Sequence, residues 1–414
     1  MLEFTDHPYQ FFPPKPNRLI IRVAQWLNHT FALGGPNHRI SDLQVEGAAR
    51  LQPLIDRGAR MLFLPNHSTH SDPQVMSETH RRLGLPSPFM AAYDVFLRKK
   101  LNAWVMQRTG SFSVDREGSD RKAMAAGIGV IKEIGSLTVF PEGNVYFTND
   151  RLTPFLEGAA FMGIKAQKDL GNDVPVYVVP VAMKFTHLID QRGAVLDRLG
   201  RAAEMVGSQF ARDTDPLLEL RRIGQLALER HLIEHGFEVP QGDQLISDAL
   251  EQAATTIIET LESGIEQAPK AGDDLNNRLR KIRSKIHQIR IAPDSEVDTG
   301  TAAGWADQAI LALRMLGYTG NYVAEHPTLD RFAETAEKLL EDLESRAQRP
   351  YGKRRAIVRL CEPIDLREHS GRAAVGAVTD QVEVAVQSAI DEINQSLNTP
   401  GSRPFSGEAD PAHG

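Results

Sequence analysis

The sequence predicts an α/β protein: a central mixed sheet flanked by helices, with a large all-helical insertion. Three observations point there. Between residues 40 and 188, short apolar runs alternate with amphipathic segments, the pattern of βαβ units. From about 195 to 349, apolar residues recur three and four apart almost throughout, which is a helical period. Residues 356–364 (Ala-Ile-Val-Arg-Leu-Cys-Glu-Pro-Ile) then return to strand character. The expected organisation is an arm and amphipathic helix at 1–35, a core at 36–194, a helical insertion at 195–349 and completion of the core at 350–398. A polar tail at 399–414 is expected to be disordered.

The elements follow in chain order. Phe11-Phe12-Pro13-Pro14-Lys15-Pro16 is a stiff aromatic and proline-rich arm. Residues 17–33 read as a helix with Leu19, Ile20, Val23, Trp26, Leu27 and Phe31 on one broad face, and Arg18 and Arg22 toward another. Such a helix either packs on the core as a lid or lies in a membrane interface, and the two are compatible. Strands are predicted over 61–64, 112–114, 137–140 and 174–184, and helices over 74–83, 95–107, 121–133 and 158–168. In the insertion, helical periodicity covers 217–235, 244–267, 275–289, 305–316 and 329–343, with loops at 269–274 and 293–304. Leu275, Leu279, Ile282, Ile286 and Ile289 form a stripe, and Arg278, Arg280, Lys281, Arg283 and Lys285 are expected to make a solvated basic surface around it.

Composition bounds the function. Hydrophobic residues at 41% and charged residues at 24% describe an ordinary globular chain. A formal net charge of −7 argues against nucleic acid as a bulk electrostatic partner. The single cysteine, Cys361, excludes an internal disulfide and fits a reducing compartment. No run resembles a secretory signal, and none approaches the roughly 20 apolar residues that span a bilayer. A cytoplasmic protein, peripheral on a membrane face, is the expectation.

Two motifs carry chemistry. Met61-Leu62-Phe63-Leu64-Pro65-Asn66-His67 is an apolar strand that delivers a histidine at its C-terminal end, with Asp72 following in the next turn. Ligands collect at that edge of an α/β sheet. A continuous helix would hold His67 and Asp72 about 140° apart, so they meet only if the chain turns between strand and helix. Pro73 favours that turn and places Asp72 at a helix N-cap, where the carboxylate either only caps or also orients His67 as a general base. His70 is expected to be a supporting or a surface residue and not the base. Leu137-Thr138-Val139-Phe140-Pro141-Glu142-Gly143 is a second strand with an acid at its tip, which suggests one shared cleft.

In order, His67-x4-Asp72, then Gly110-Ser111-Phe112-Ser113-Val114-Asp115-Arg116, then Phe140-Pro141-Glu142-Gly143, then Val179-Pro180-Val181, this chain resembles the glycerolipid (PlsC-like) acyltransferases. The resemblance covers about 43–188 and does not extend to the insertion. It implies the PlsC-like acyltransferase fold. It also implies transfer of an acyl group from acyl-CoA or acyl carrier protein to a hydroxyl of lysophosphatidate or glycerol 3-phosphate. His67 and Asp72 would be catalytic. Glu142, Gly143 and Arg116 would bind the acceptor, with Asp115 beside them and Pro180 shaping the acyl pocket. No metal or cofactor is implied beyond the acyl carrier. Many relatives read Thr-Arg after Pro-Glu-Gly, whereas Asn144 and Val145 stand here, so the acceptor head group stays open, with non-phosphate lysolipids among the candidates. A metal-dependent hydrolase would need further histidines where Ser68 and Pro73 stand. A scaffolding member of the fold would not need His67, Asp72, Arg116 and Glu142 all intact.

Overall fold

Strands β1 (Ile40–Glu46), β2 (Arg60–Pro65), β3 (Met90–Ala92), β4 (Phe112–Val114), β5 (Ser136–Thr138), β6 (Val176–His187), β7 (Arg354–Leu360) and β8 (Ile364–Asp365) appear in the computed structural model. The structure describes residues 9–405 apart from 117, 119, 241–245 and 293–294. All strands but β3 and β4 form one sheet in the order β1-β7-β6-β2-β5, with β8 also on β6. β2 runs parallel to β5 and β6, β1 runs parallel to β7, and β6 is antiparallel to β7 and β8. The sheet is therefore mixed, as the sequence predicted. β3 and β4 form a separate parallel pair.

Side chains alternate across a strand, and both faces of this sheet are covered. Met61 and Phe63 pack with Leu51, Val75, Met76 and Leu83 of helices α2 (Ala48–Asp56) and α3 (Asp72–Leu83), helices numbered along the chain with α1 (Arg18–Leu27) first. Leu62 and Leu64 face the other way, onto Ile131, Met162 and Val382. Those three belong to α6 (Arg121–Glu133), α7 (Gly158–Leu170) and α15 (Ala373–Ser396). Between α3 and α6 come α4 (Tyr93–Leu97) and α5 (Lys100–Arg108). One helix was predicted over 95–107; the chain breaks instead at Lys99, which is extended at φ −153°, and nothing in the local sequence dictates that break.

The arm and α1 both lie on this core. The arm runs extended beside β4, where Ser113 N–H donates to Phe12 O at 3.1 Å and Phe12 N–H donates to Ser113 Oγ at 2.8 Å, while Phe12 stacks on Phe96. Asn17 caps α1 by accepting from Leu19 and Ile20 N–H, and the helix continues as a π-turn over Asn28–Ala32. Its buried side consists of Ile21, Gln25 and Asn28, with Gln25 and Asn28 donating to the carbonyls of Leu85 and Gln74. Leu19, Trp26, Leu27 and Phe31 are exposed, at 68%, 55%, 45% and 63%. The helix covers the core with a largely polar face and turns most of its apolar stripe outward.

Residues Tyr9–Asp190 and Arg349–Arg403 make up this α/β unit, and Gln191–Gln348 form a second, helical one. The helical unit holds α8 (Arg192–Met205), α9 (Pro216–Glu234), α10 (Ile246–Gly264), α11 (Leu275–Ile291), α12 (Thr299–Leu316), α13 (Tyr322–Glu325) and α14 (Leu329–Glu344). Leu279, Ile282 and Ile286 bury the predicted stripe of α11 against Ile257, Ile258 and Leu261 of α10 and Ala309 and Ala312 of α12. The solvated basic surface is only partial. Arg278 forms a fork with Glu262 at 3.0 and 2.7 Å, Lys281 pairs with Asp273, and Arg283 is buried. The loop expected to reach 304 stops sooner, because Asp298 caps α12 by accepting from Thr301 N–H. The first part of the expected disordered tail is folded: Thr399 and Ser402 form a capping box, and Phe405 is buried and stacks on Phe332 at 4.4 Å. Residues 406–414 lie outside the described residues.

Candidate active site

β2 and β5 are parallel neighbours, so the two motifs that follow them leave the sheet at the same edge. Asn66 sets the exit of the first. Its amide donates to Met183 O at 3.0 Å and accepts from Met183 N–H at 2.7 Å, prolonging the β2–β6 pairing with a side chain. His67 follows at once, its ring stacked on Phe140 at 4.1 Å between centroids.

His67 Nδ1 lies 2.8 Å from Asp72 Oδ2. The same oxygen accepts from Thr69 N–H at 3.0 Å, and Oδ1 accepts from Thr69 Oγ1 at 2.9 Å. Asp72 is fully buried, so these donors replace its hydration. With the carboxylate as acceptor, Nδ1 carries the proton and Nε2 keeps its lone pair. Nε2 makes no hydrogen bond among the described residues, and the side chain is 16% exposed. The expected turn between strand and helix is present, with one correction. Ser71 is the N-cap, and Asp72 is the first residue of α3, its carboxylate folded back onto Thr69 and His67. Pro73 therefore sits one position later than predicted, still in the first turn, where its missing N–H leaves no bond unmade.

The outer side of this loop is held from the far end of the chain. Arg354 of β7 is buried and donates through Nη2 to Ser71 Oγ at 2.8 Å and to His38 O at 2.7 Å. His38 Nδ1 lies 3.2 Å from the same hydroxyl, and burial together with Arg354 pushes its pKa down to about 4, so the ring is neutral near pH 7. His70 is half-buried and meets the Phe147 ring edge-on at 5.3 Å.

Glu142 joins the two motifs. Oε1 accepts from His67 N–H at 2.6 Å, and Oε2 accepts from Thr153 N–H at 3.0 Å and Thr153 Oγ1 at 2.5 Å. Burial raises its pKa, and these hydrogen bonds oppose that rise. Both oxygens are thus committed to the chain itself, Oε1 bracing the backbone of the histidine and Oε2 holding Thr153. Gly143 takes φ +78°, which a side chain would strain, so it serves the turn after Glu142.

Arg116 reaches the same turn. Nη1 donates to Asn144 Oδ1 at 2.9 Å, and Nη2 lies 3.2 Å from Asp94 Oδ1. Asp115 is half-buried and donates its N–H to Asp120 Oδ2 at 3.1 Å. Pro180 is buried in β6, opposite Leu64 of β2. Its carbonyl accepts from Cys361 N–H at 2.9 Å, just past the end of β7, so the ring nitrogen faces the gap between β7 and β8, where no ladder donor is needed. The residues to which the sequence reading gave no role are Asn66, Thr69, Asp94, Thr153 and Arg354. Asn66 and Thr69 lie within the first motif, while Asp94, Thr153 and Arg354 sit in stretches with no motif of their own.

Residues 42–184 match the family model described as Acyltransferase. A curated glycerol-3-phosphate acyltransferase of Baumannia cicadellinicola subsp. Homalodisca coagulata is 26% identical over 183 residues, which are 42% of this chain and 21% of that protein. The chain thus spans about a fifth of the length of that relative.

Proposed function

We propose that this chain, whose residues 42–184 match the Acyltransferase family model, is an O-acyltransferase that uses His67 as general base. The observation that carries it is the 2.8 Å contact from His67 Nδ1 to a buried Asp72, which leaves Nε2 unengaged at the edge where both motif strands end. Nε2 takes the proton from an acceptor hydroxyl as that oxygen attacks the thioester carbonyl of acyl-CoA or an acyl carrier protein. The tetrahedral intermediate collapses, the C–S bond breaks, and the departing thiolate receives the proton from the imidazolium. Asp72 fixes the tautomer and balances the transient positive charge. The acceptor is a glycerolipid hydroxyl. The name of the relative, glycerol-3-phosphate acyltransferase, supports a glycerol backbone and puts glycerol 3-phosphate and lysophosphatidate among the acceptors to test.

The reaction takes place at a membrane surface. Among the described residues no helix is long and apolar enough to cross a membrane. The outward face of α1 (Leu19, Trp26, Leu27, Phe31) and the exposed Leu97, Leu101 and Trp104 of α4 and α5 nevertheless present apolar side chains amid exposed Lys15, Arg18, Arg22, Arg98, Lys99 and Lys100. Apolar insertion flanked by cations suits the peripheral docking of a lipid enzyme.

Acyl transfer by the purified protein tests the reading. His67→Ala is expected to lower turnover by about 10²–10⁴-fold, and Asp72→Asn by on the order of 10²-fold or more, with circular dichroism unchanged. Wild-type rates from both variants would sink the assignment.

A further inference from the structure

Residues 66–71, between β2 and α3, are neither strand nor helix, yet they carry His67 and lead directly into Asp72. A carboxylate orients a histidine only when it is itself held, and an irregular loop lacks the backbone pairing that would hold it. Side chains from two neighbouring strands supply the hold. At the start of the loop Asn66 is bonded twice to Met183 of β6, at 3.0 and 2.7 Å. At its end Ser71 Oγ accepts from Arg354 Nη2 of β7 at 2.8 Å.

Ser71 is the N-cap of α3, a position where a serine hydroxyl ordinarily accepts from an N–H of the first turn. It makes no such bond here. Its hydroxyl turns instead to Arg354 and to His38 Nδ1, which lies 3.2 Å away. From Ser71 the connection runs unbroken to the base. Ser71 N–H donates to Thr69 Oγ1 at 3.1 Å, Thr69 Oγ1 donates to Asp72 Oδ1 at 2.9 Å, and Asp72 Oδ2 lies 2.8 Å from His67 Nδ1. Thr69, Ser71 and Asp72 are all buried, so water does not stand in for a missing partner. Arg354 is itself firmly placed. Its backbone N–H donates to Arg39 O at 2.8 Å, its guanidinium lies over the Phe185 ring at 5.4 Å, and the same Nη2 donates to His38 O at 2.7 Å.

We propose that Arg354 is a positioning residue for the base: through Ser71 it holds Asp72 where the carboxylate orients His67. The inference rests on the acyltransferase reading above and extends it beyond residue 184, where the family match ends. On this account the strand that follows the inserted helices supplies part of the machinery around the base.

The test is acyl transfer by the full chain from palmitoyl-CoA to glycerol 3-phosphate, lysophosphatidate and monoacylglycerol. It compares wild type, Arg354→Met, Ser71→Ala, Asp72→Asn and the two double variants that add Asp72→Asn to each of the others. Ser71→Ala removes no capping bond, so it keeps the test decisive if Arg354→Met does not fold. A displacement of about 1 Å in such a group costs on the order of 10²-fold. The kcat is therefore expected to fall by about 10–100-fold in Arg354→Met and about tenfold in Ser71→Ala, with KM within about twofold. On the Asp72→Asn background the same changes are expected to cost less than about threefold, because the charge that they position is already gone. A merely structural arginine would act equally on both backgrounds. Equal losses on the two backgrounds, losses in KM alone, or wild-type kcat in Ser71→Ala overturn the inference and spare the acyltransferase reading. No transfer by wild type to any of the three acceptors overturns both.

Discussion

Glu142 accepts hydrogen bonds from two loops at once, so a change of one atom in it should be felt at His67. Glu142→Gln keeps the volume but turns an NH₂ toward either the His67 or the Thr153 donors, leaving a buried donor facing a donor. The expected loss is about 1–3 kcal/mol of stability, read from the urea midpoint. A lower kcat with little change in KM is expected alongside, because the backbone of the base is no longer braced. His80 gives the second test at this scale. It is fully buried in α3, donates from Nδ1 to Met76 O at 2.7 Å, and has its Nε2 3.3 Å from Thr138 Oγ1. Burial lowers its pKa from 6.5 to about 4. Below pH 6.5 the unfolded chain therefore takes up a proton that the native state refuses, and stability is expected to fall as pH drops from 6.5 toward 4. His80→Gln should flatten that fall in urea midpoints measured at pH 7 and pH 5, and an unchanged slope would refute the role. His67 and Asp72 could be read in the sequence because their chemistry is local, a strand end and the next turn. Thr153, Asp94 and Arg354 could not, because what makes them matter is a partner brought in by the fold, in the case of Arg354 a serine 283 positions away.

Among the elements, α7 shows how closely the second layer sits on the sheet. A Cβ on Gly163 would lie 2.8 Å from Leu366 Cδ1 and 3.0 Å from Leu62 Cδ2. Gly163→Ala gains helix propensity but overpacks that contact, and a net loss of about 1–3 kcal/mol is expected in a denaturant titration. A stabilised variant would mean that Leu366 yields freely. Periodicity revealed the helices and the buried strands because each period follows from the backbone geometry. It did not reveal which way α1 faces. A stripe of Leu19, Trp26, Leu27 and Phe31 reads identically whether it meets a core or a lipid, and only the burial of Gln25 and Asn28 on the opposite side decides the orientation. β1 and the short β3 were not picked out as strands either, since β1 pairs with β7, far along the chain, and β3 has three residues.

For the whole molecule, the outward face of α1, α4 and α5 leads to a binding experiment. Vesicles containing anionic lipid should bind the protein more weakly as salt rises, because the contributions of Lys15, Arg18, Arg22, Arg98, Lys99 and Lys100 are screened. Trp26→Ser with Leu101→Ser should reduce partitioning by on the order of tenfold or more at any salt. Equal binding to neutral vesicles by wild type and double variant would remove the docking reading. The late return to the sheet could be read from the strand character of 356–364, but its place beside β1 could not, because the order of strands is a property of the fold and not of either segment. That adjacency also governs how the protein is made. Asp42 of β1 and its partner Arg355 of β7 are separated by 313 residues. At roughly 5–20 residues per second, a nascent chain carries β1 without its sheet neighbour for on the order of 15–60 s. Ile40, Leu43 and Val45 stay without their neighbour in the sheet through that interval while the inserted helices are synthesised, so the exposed strand gives chaperones and aggregation partners a window that opens once in every round of translation.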